Sequence, residues 1–168
     1  SSGDPKENLK KFTRRYEDEF LKDLRSLKIS ENSSDKSAFA FFKMPRATEY
    51  ISEMQDLIVK IIKNGYGYVK DGSFYFNVLK YAKDHRYGQL LSIDLDQFQD
   101  GVRIDADEYS KENLKDFSLW KKKKGDEPAW DFLFKGENYE GRPGWHIECS
   151  CMSHACFGDR FDIHTGGV

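Results

Sequence analysis

The stretch Tyr66-Gly-Tyr-Val-Lys-Asp-Gly-Ser-Phe-Tyr-Phe limits the fold of this chain more than any other. Two runs of aromatic and β-branched residues flank Asp71-Gly72. A two-residue type I′ turn needs positive φ at both central positions, and Asp-Gly is one of the few pairs that supplies it. The pattern predicts an antiparallel hairpin turning at Asp71 and Gly72.

Helices are expected on either side. Asp4 and Pro5 give an N-cap acceptor followed by a first-turn proline. Leu9, Phe12, Tyr16, Phe20, Leu24 and Leu27 then recur every three or four residues. This predicts a packing helix with one apolar stripe, ending near Leu27. Residues 30–37 are polar and breaker-rich and read as a loop or disordered insert, after which Phe39, Phe41 and Phe42 should dock. From Pro45 or Thr48 to about Asn64 a second helix carries Tyr50, Ile51, Met54, Leu57, Ile58, Ile61 and Ile62, with Gly65 at the C′ position. Residues 80–107 lack a clear period and read as turns and helical fragments. Phe117-Ser-Leu-Trp-Lys reads as a short strand.

Toward the C-terminus, residues 141–144 read as a Gly- and Pro-rich turn. Residues 145–156 follow as a helix, Phe161-Asp-Ile-His as a short strand, and Thr165-Gly-Gly as a glycine-rich exit. Helix, short strand and glycine loop in that order suggest an α/β fold near a ligand crevice.

The composition excludes several classes. With a net charge of -2 the chain is not a dedicated nucleic-acid-binding arm. No apolar run approaches the ~20 residues of a membrane helix, so no membrane partner is expected, and the N-terminus lacks a signal-peptide core. The four lysines at 121–124 read as a solvated loop in preference to a phosphate contact. Cys149, Cys151 and Cys156 are the three cysteines, an odd and clustered set unlike a disulfide framework. A reducing, cytoplasmic setting follows.

The cluster Gly141-Arg-Pro-Gly-Trp-His-Ile-Glu-Cys-Ser-Cys-Met-Ser-His raises the question of a metal. On a helix His146, Cys149, Ser153 and Cys156 share one side, and Cys151 and His154 another. His146 and Cys149 are spaced to chelate one ion. Cys149 and Cys156 lie ~10.5 Å apart along the axis, too far for two ligands ~2.3 Å from one zinc. The window cannot close a four-ligand site. A self-contained site of His146, Cys149 and His154 or Cys151 is therefore disfavoured, and each cysteine reads most simply as a small buried hydrophobe.

The same residues carry a resemblance. Gly-Arg-Pro-Gly-Trp-His-Ile-Glu-Cys-Ser followed by Phe-Asp-Ile-His-Thr-Gly-Gly closely resembles the cysteinyl-tRNA synthetases. Pro45-Arg-Ala-Thr-Glu-Tyr-Ile, Asn64-Gly-Tyr-Gly-Tyr-Val and Lys115-Asp-Phe-Ser-Leu-Trp support it in order and spacing. This is a class I aminoacyl-tRNA synthetase family. The resemblance implies activation of L-cysteine with ATP and magnesium, attachment to tRNA(Cys), and a zinc ion that binds the substrate thiolate.

By resemblance, Cys149 matches the family's zinc ligand and Trp145 the ring lining the cysteine pocket. His164 matches a histidine near the adenylate, with Gly166 and Gly167 in the glycine turn that approaches the nucleotide and Asp162 supporting it. His146 and Glu148 are packing or supporting residues. Cys151 stands where the family has a small alanine, and Cys156 has no family role. No residue is assigned to catalysis itself.

The chain lacks the HIGH and KMSKS motifs of the class and the family's other zinc-binding residues. Thr165 and the stretch Phe132-Leu-Phe-Lys-Gly-Glu-Asn-Tyr-Glu-Gly also depart from the family pattern. The expectation is an internal fragment of α/β class with α+β character: a helical and hairpin insertion of the Rossmann fold over residues 4–141, and an incomplete start of its second half over 142–168. Such a fragment is expected to be inactive alone, with the remaining catalytic domain as its partner. The alternative is a non-catalytic RNA- or protein-binding module using Lys121 to Lys124.

Overall fold

The computed structural model describes residues 3–27, 43–88 and 116–165. Phe39, Phe41, Phe42, the loop expected at 30–37, most of the aperiodic stretch, and Gly166 and Gly167 lie outside these residues.

The hairpin forms as its turn chemistry requires. Asp71 and Gly72 have φ of 51° and 83°. β1 (Gly67–Lys70) and β2 (Ser73–Phe76) pair across them from Lys70–Ser73 out to Gly67–Phe76. β2 pairs with β3 (Phe117–Lys122) through a bulge between Phe74 and Tyr75. β3 in turn pairs with β6 (Gly141–Pro143), giving a four-stranded antiparallel sheet in the order β1-β2-β3-β6.

A second hairpin, β4 (Leu133–Phe134) and β5 (Glu137–Asn138), turns at Lys135 and Gly136, whose φ values are 51° and 85°. Lys-Gly is a rarer form of the same two-residue turn, and for that reason it escapes a search for Asp-Gly or Asn-Gly pairs.

Among the described residues four helices accompany the sheet: α1 (Pro5–Ser26), α2 (Ile51–Lys63) after a single 3-10 turn at Ala47–Glu49, α3 (Val78–Asp84) and α4 (Trp145–Phe157). The architecture is mixed α/β. α2 packs on β1 and α4, and α4 packs on β3. Between them lies a core of Met54, Ile58, Phe74, Leu119, Trp120, Phe132, Ile147 and Cys151, led by large rings as the aromatic composition suggests. Phe74 meets Phe132 at 4.8 Å, and the Trp120 indole N–H donates to the Tyr139 carbonyl at 3.0 Å. Aromatic pairs of this kind add about 0.5–1.5 kcal/mol to area burial. Among the described residues no helix is long and apolar enough to cross a membrane.

Several expectations are corrected. α1 starts and ends as expected, with the Asp4 carboxylate accepting from the Lys6 N–H at 3.0 Å, but none of its residues is buried. Its stripe turns outward, leaving Phe12 at 61% and Tyr16 at 58% exposed. The face toward the rest of the chain carries Arg14 and Glu17, which bond to Glu49 and Arg46, so ion pairs help to attach this helix.

Residues 141–143 form an edge strand, not a turn. Glycine and proline read as breakers, yet Gly141 is there because a Cβ would overlap the Lys121 carbonyl, and Pro143, which has no N–H to donate, sits on an edge strand with no further strand beyond it among the described residues. Phe161-Asp-Ile-His is not a strand. It has no ladder partner among the described residues, and Ile163 is 82% exposed. Lys121 and Lys122 belong to β3 rather than to a loop, and Lys123 pairs with Glu140 at 2.8 Å.

Candidate functional site

α4 starts where the sheet forces it to. Gly144 is its N-cap, and the Gly144 N–H donates to the Leu119 carbonyl at 2.9 Å. A Cβ at Gly144 would overlap the Ser118 carbonyl, so only glycine lets the backbone pass this close to β3. The close approach fixes the direction in which the first turn of α4 leaves the sheet.

From that start the helix sorts its side chains. Ile147 and Cys151, four apart, go into the core. Trp145 and Cys149, also four apart, face out, with Trp145 58% exposed and Cys149 exposed. The soft side chains are thus divided. Cys151 is the buried small hydrophobe expected from the sequence, and burial raises its thiol above the ordinary value. Cys149 is not, and this corrects the expectation for it. Cys156 is half-buried beside Tyr50.

His146 lies between two rings, with Trp145 stacked at 3.7 Å and Phe117 at 4.6 Å. Partial burial, and then the neighbouring Lys121 charge, hold its imidazole below the usual 6.5. It packs between these two rings, and its burial disfavours the charged form. Burial likewise raises the Glu148 carboxyl, and Arg142 opposes that shift. Arg142 is itself bonded to Glu127 at 3.2 Å.

Past α4 the chain turns at Gly158 and exposes residues 158–165. His164 stands there with its ring 5.9 Å from Phe161. Asp162 is exposed on the same stretch. His154 faces Asp159 at 2.9 Å rather than a metal partner. No group of three His, Cys, Asp or Glu side chains among the described residues stands ready to hold a metal. His146, Cys149, Cys151 and His154 supply no such group of three.

One feature escaped the sequence reading. α1 and the 3-10 turn enclose a cleft lined by Lys6, Lys10, Arg14, Arg46 and Trp130. Only the spacing of Lys6, Lys10 and Arg14 hinted at it.

The mixed α/β architecture is consistent with a fragment of a synthetase catalytic domain. The chain belongs to the class I aminoacyl-tRNA synthetases: residues 2–168 match the family described as tRNA synthetases class I (C) catalytic domain. Three similar relatives carry the same name. The cysteine–tRNA ligase of Fusobacterium nucleatum is 38% identical over 161 residues, 96% of this chain and 31% of that protein. That of Leptospira interrogans serovar Lai is 41% identical, covering 97% of this chain and 31% of the relative. That of Thermococcus onnurineus is 43% identical, covering 98% and 30%. The chain therefore spans roughly a third of the length of the curated relatives it matches.

Proposed function

We propose that the protein containing this chain activates L-cysteine with ATP and magnesium and attaches it to tRNA(Cys). In this reading residues 4–141 belong to the insertion of the class I fold, and residues 142–168 open the second half of its nucleotide-binding domain. The remainder of the catalytic domain is the partner of both, in a reducing, cytoplasmic setting that suits three free cysteines.

The observation that carries the proposal is the outward pair on α4. Trp145 and Cys149 sit one turn apart on an exposed side of α4, a helix whose direction Gly144 fixes. Rigid placement of this kind is what a binding wall needs.

Zinc suits Cys149 on donor chemistry: a soft, accessible sulfur on a rigid element. The described residues provide one such ligand, so the other positions of the site belong elsewhere in the protein. When bound, zinc holds a thiolate and rejects a serine hydroxyl, a distinction that an apolar pocket makes only weakly.

The work left to this chain is positional. Trp145 packs against the amino acid and keeps water from it, steadied by the His146 ring. Neutral His146 adds no charge beside the substrate. His164, with Gly166 and Gly167, lies along the nucleotide.

The lysines at 121–124 do not favour the alternative of a free-standing RNA- or protein-binding module. Two lie within β3, and Lys123 is paired with Glu140. Zinc content and cysteine-dependent ATP–pyrophosphate exchange of the full-length protein, wild type against Cys149→Ala, test the proposal. Loss of both with an unchanged fold is expected. Exchange at the wild-type level in the variant would remove Cys149 from the site.

A further inference from the structure

The first three turns of α1 face a cleft of about 270 Å³, closed on its far side by Arg46, Thr48, Glu49 and the Trp130 ring. Lys6, Lys10 and Arg14 follow at i, i+4 and i+8, so one side of the helix turns three cations toward this space.

Their surroundings differ. Arg14 is bonded to Glu17 at 2.8 Å and to Glu49 at 3.2 Å. Arg46 is bonded to the same two carboxylates. Two acids thus balance two guanidiniums and hold them in place. Lys10 and Lys6 have no carboxylate within ion-pair distance among the described residues. Lys6 lies 5.7 Å over the Trp130 ring, and the nearby Asp4 carboxylate is occupied by the Lys6 backbone N–H.

Two uncompensated ammonium groups therefore share the mouth of one cleft with a half-exposed indole, in a chain of net charge -2. Ammonium groups beside an aromatic face suit a phosphodiester strand, whose phosphates take the charge and whose flat groups take the ring.

We propose that the cleft between α1 and Trp130 is a docking point for backbone phosphates of RNA, contacted by Lys6 and Lys10. Arg14 and Arg46, braced by Glu17 and Glu49, shape its inner end. The choice of RNA over a free phosphate compound rests on the synthetase reading. The charge surplus and the ring do not depend on it.

The test uses the full-length protein and a tRNA(Cys) transcript, with binding followed by fluorescence anisotropy across a salt series. Both lysines are exposed, so replacing them leaves packing intact. Lys6→Ala with Lys10→Ala should raise Kd several-fold and flatten the log Kd against log salt slope by roughly 1.4–1.8, the share of two phosphate contacts. The Lys6→Arg with Lys10→Arg protein, which keeps both charges, should stay near wild type. An alanine variant with wild-type Kd and slope would overturn the proposal. So would weaker binding with an unchanged slope. Titration with inorganic phosphate separates the sources: phosphate binding lost in the alanine variant while RNA binding stays intact assigns the cleft to a free phosphate and overturns the RNA assignment. Cysteine-dependent ATP–pyrophosphate exchange by the wild type needs no RNA. Its absence would sink the synthetase reading and leave the RNA titration to judge the cleft.

Discussion

At the scale of single residues, two positions do work that their neighbours cannot. Gly144 lies so close to the Ser118 carbonyl that a methyl group has nowhere to go. Gly144→Ala should lower stability in chemical denaturation by about 1–3 kcal/mol, the usual cost of forcing extra volume into a packed site. It should also move the first turn of α4. Asp116 is only 4% exposed and accepts from the Val78 N–H and the Tyr68 hydroxyl, each at 2.9 Å. Burial raises its carboxyl above the ordinary 3.8, and those two hydrogen bonds oppose the shift without cancelling it. The folded protein then holds this proton more tightly than the unfolded chain does. The stabilisation is complete below pH 3.8 and is lost as pH rises through the folded value. Asp116→Asn should flatten that part of the stability–pH curve, as read by denaturant titration at a series of pH values. A curve of unchanged slope would mean that another group sets it.

At the scale of elements, α4 makes a prediction about its own cysteines. Cys149 is exposed, Cys156 half-buried, and Cys151 buried with its thiol pushed up. Iodoacetamide should label Cys149 first and Cys151 last, with site occupancy read by peptide mass spectrometry. Cys151 reacting as fast as Cys149 would contradict the helix orientation. Much of the element plan was legible in the sequence because a local rule decides it. The Asp71-Gly72 hairpin follows from backbone sterics, and the ends of α1 follow from Asp4 and Pro5. The residues set apart by resemblance, Trp145 and Cys149, fall in the stretch read as a helix, and α4 carries them. What was illegible depends on neighbours. The stripe Phe12, Tyr16 and Phe20 shows that one side of α1 is apolar but not which way that side points. Gly141 and Pro143 look like a turn until β3 lies beside them. The α1 cleft joins Lys6 to Trp130, residues far apart in sequence that only the fold brings together.

At the scale of the whole molecule, the exposed apolar surface stands out. Phe12, Tyr16, Phe20 and Leu27 on α1, and Trp145, Phe157, Phe161 and Ile163 at the other end of the chain, are all more than two-fifths exposed. Apolar surface on that scale marks a binding face or an aggregation hazard. This chain taken alone should self-associate with rising concentration in sedimentation velocity, and a clean monomer throughout would contradict that. The sheet carries a different consequence. β2 and β3 are neighbours in space, yet residues 77–116 separate them along the sequence. The Asp116 carboxylate accepts from the Val78 N–H, so the two described ends of this stretch are tied together beside the sheet. Loop-closure entropy grows only slowly with length, by about 0.6 kcal/mol for each doubling. An insertion that doubled this stretch should therefore cost the fold little, with the β2–β3 ladder still held by its own rungs.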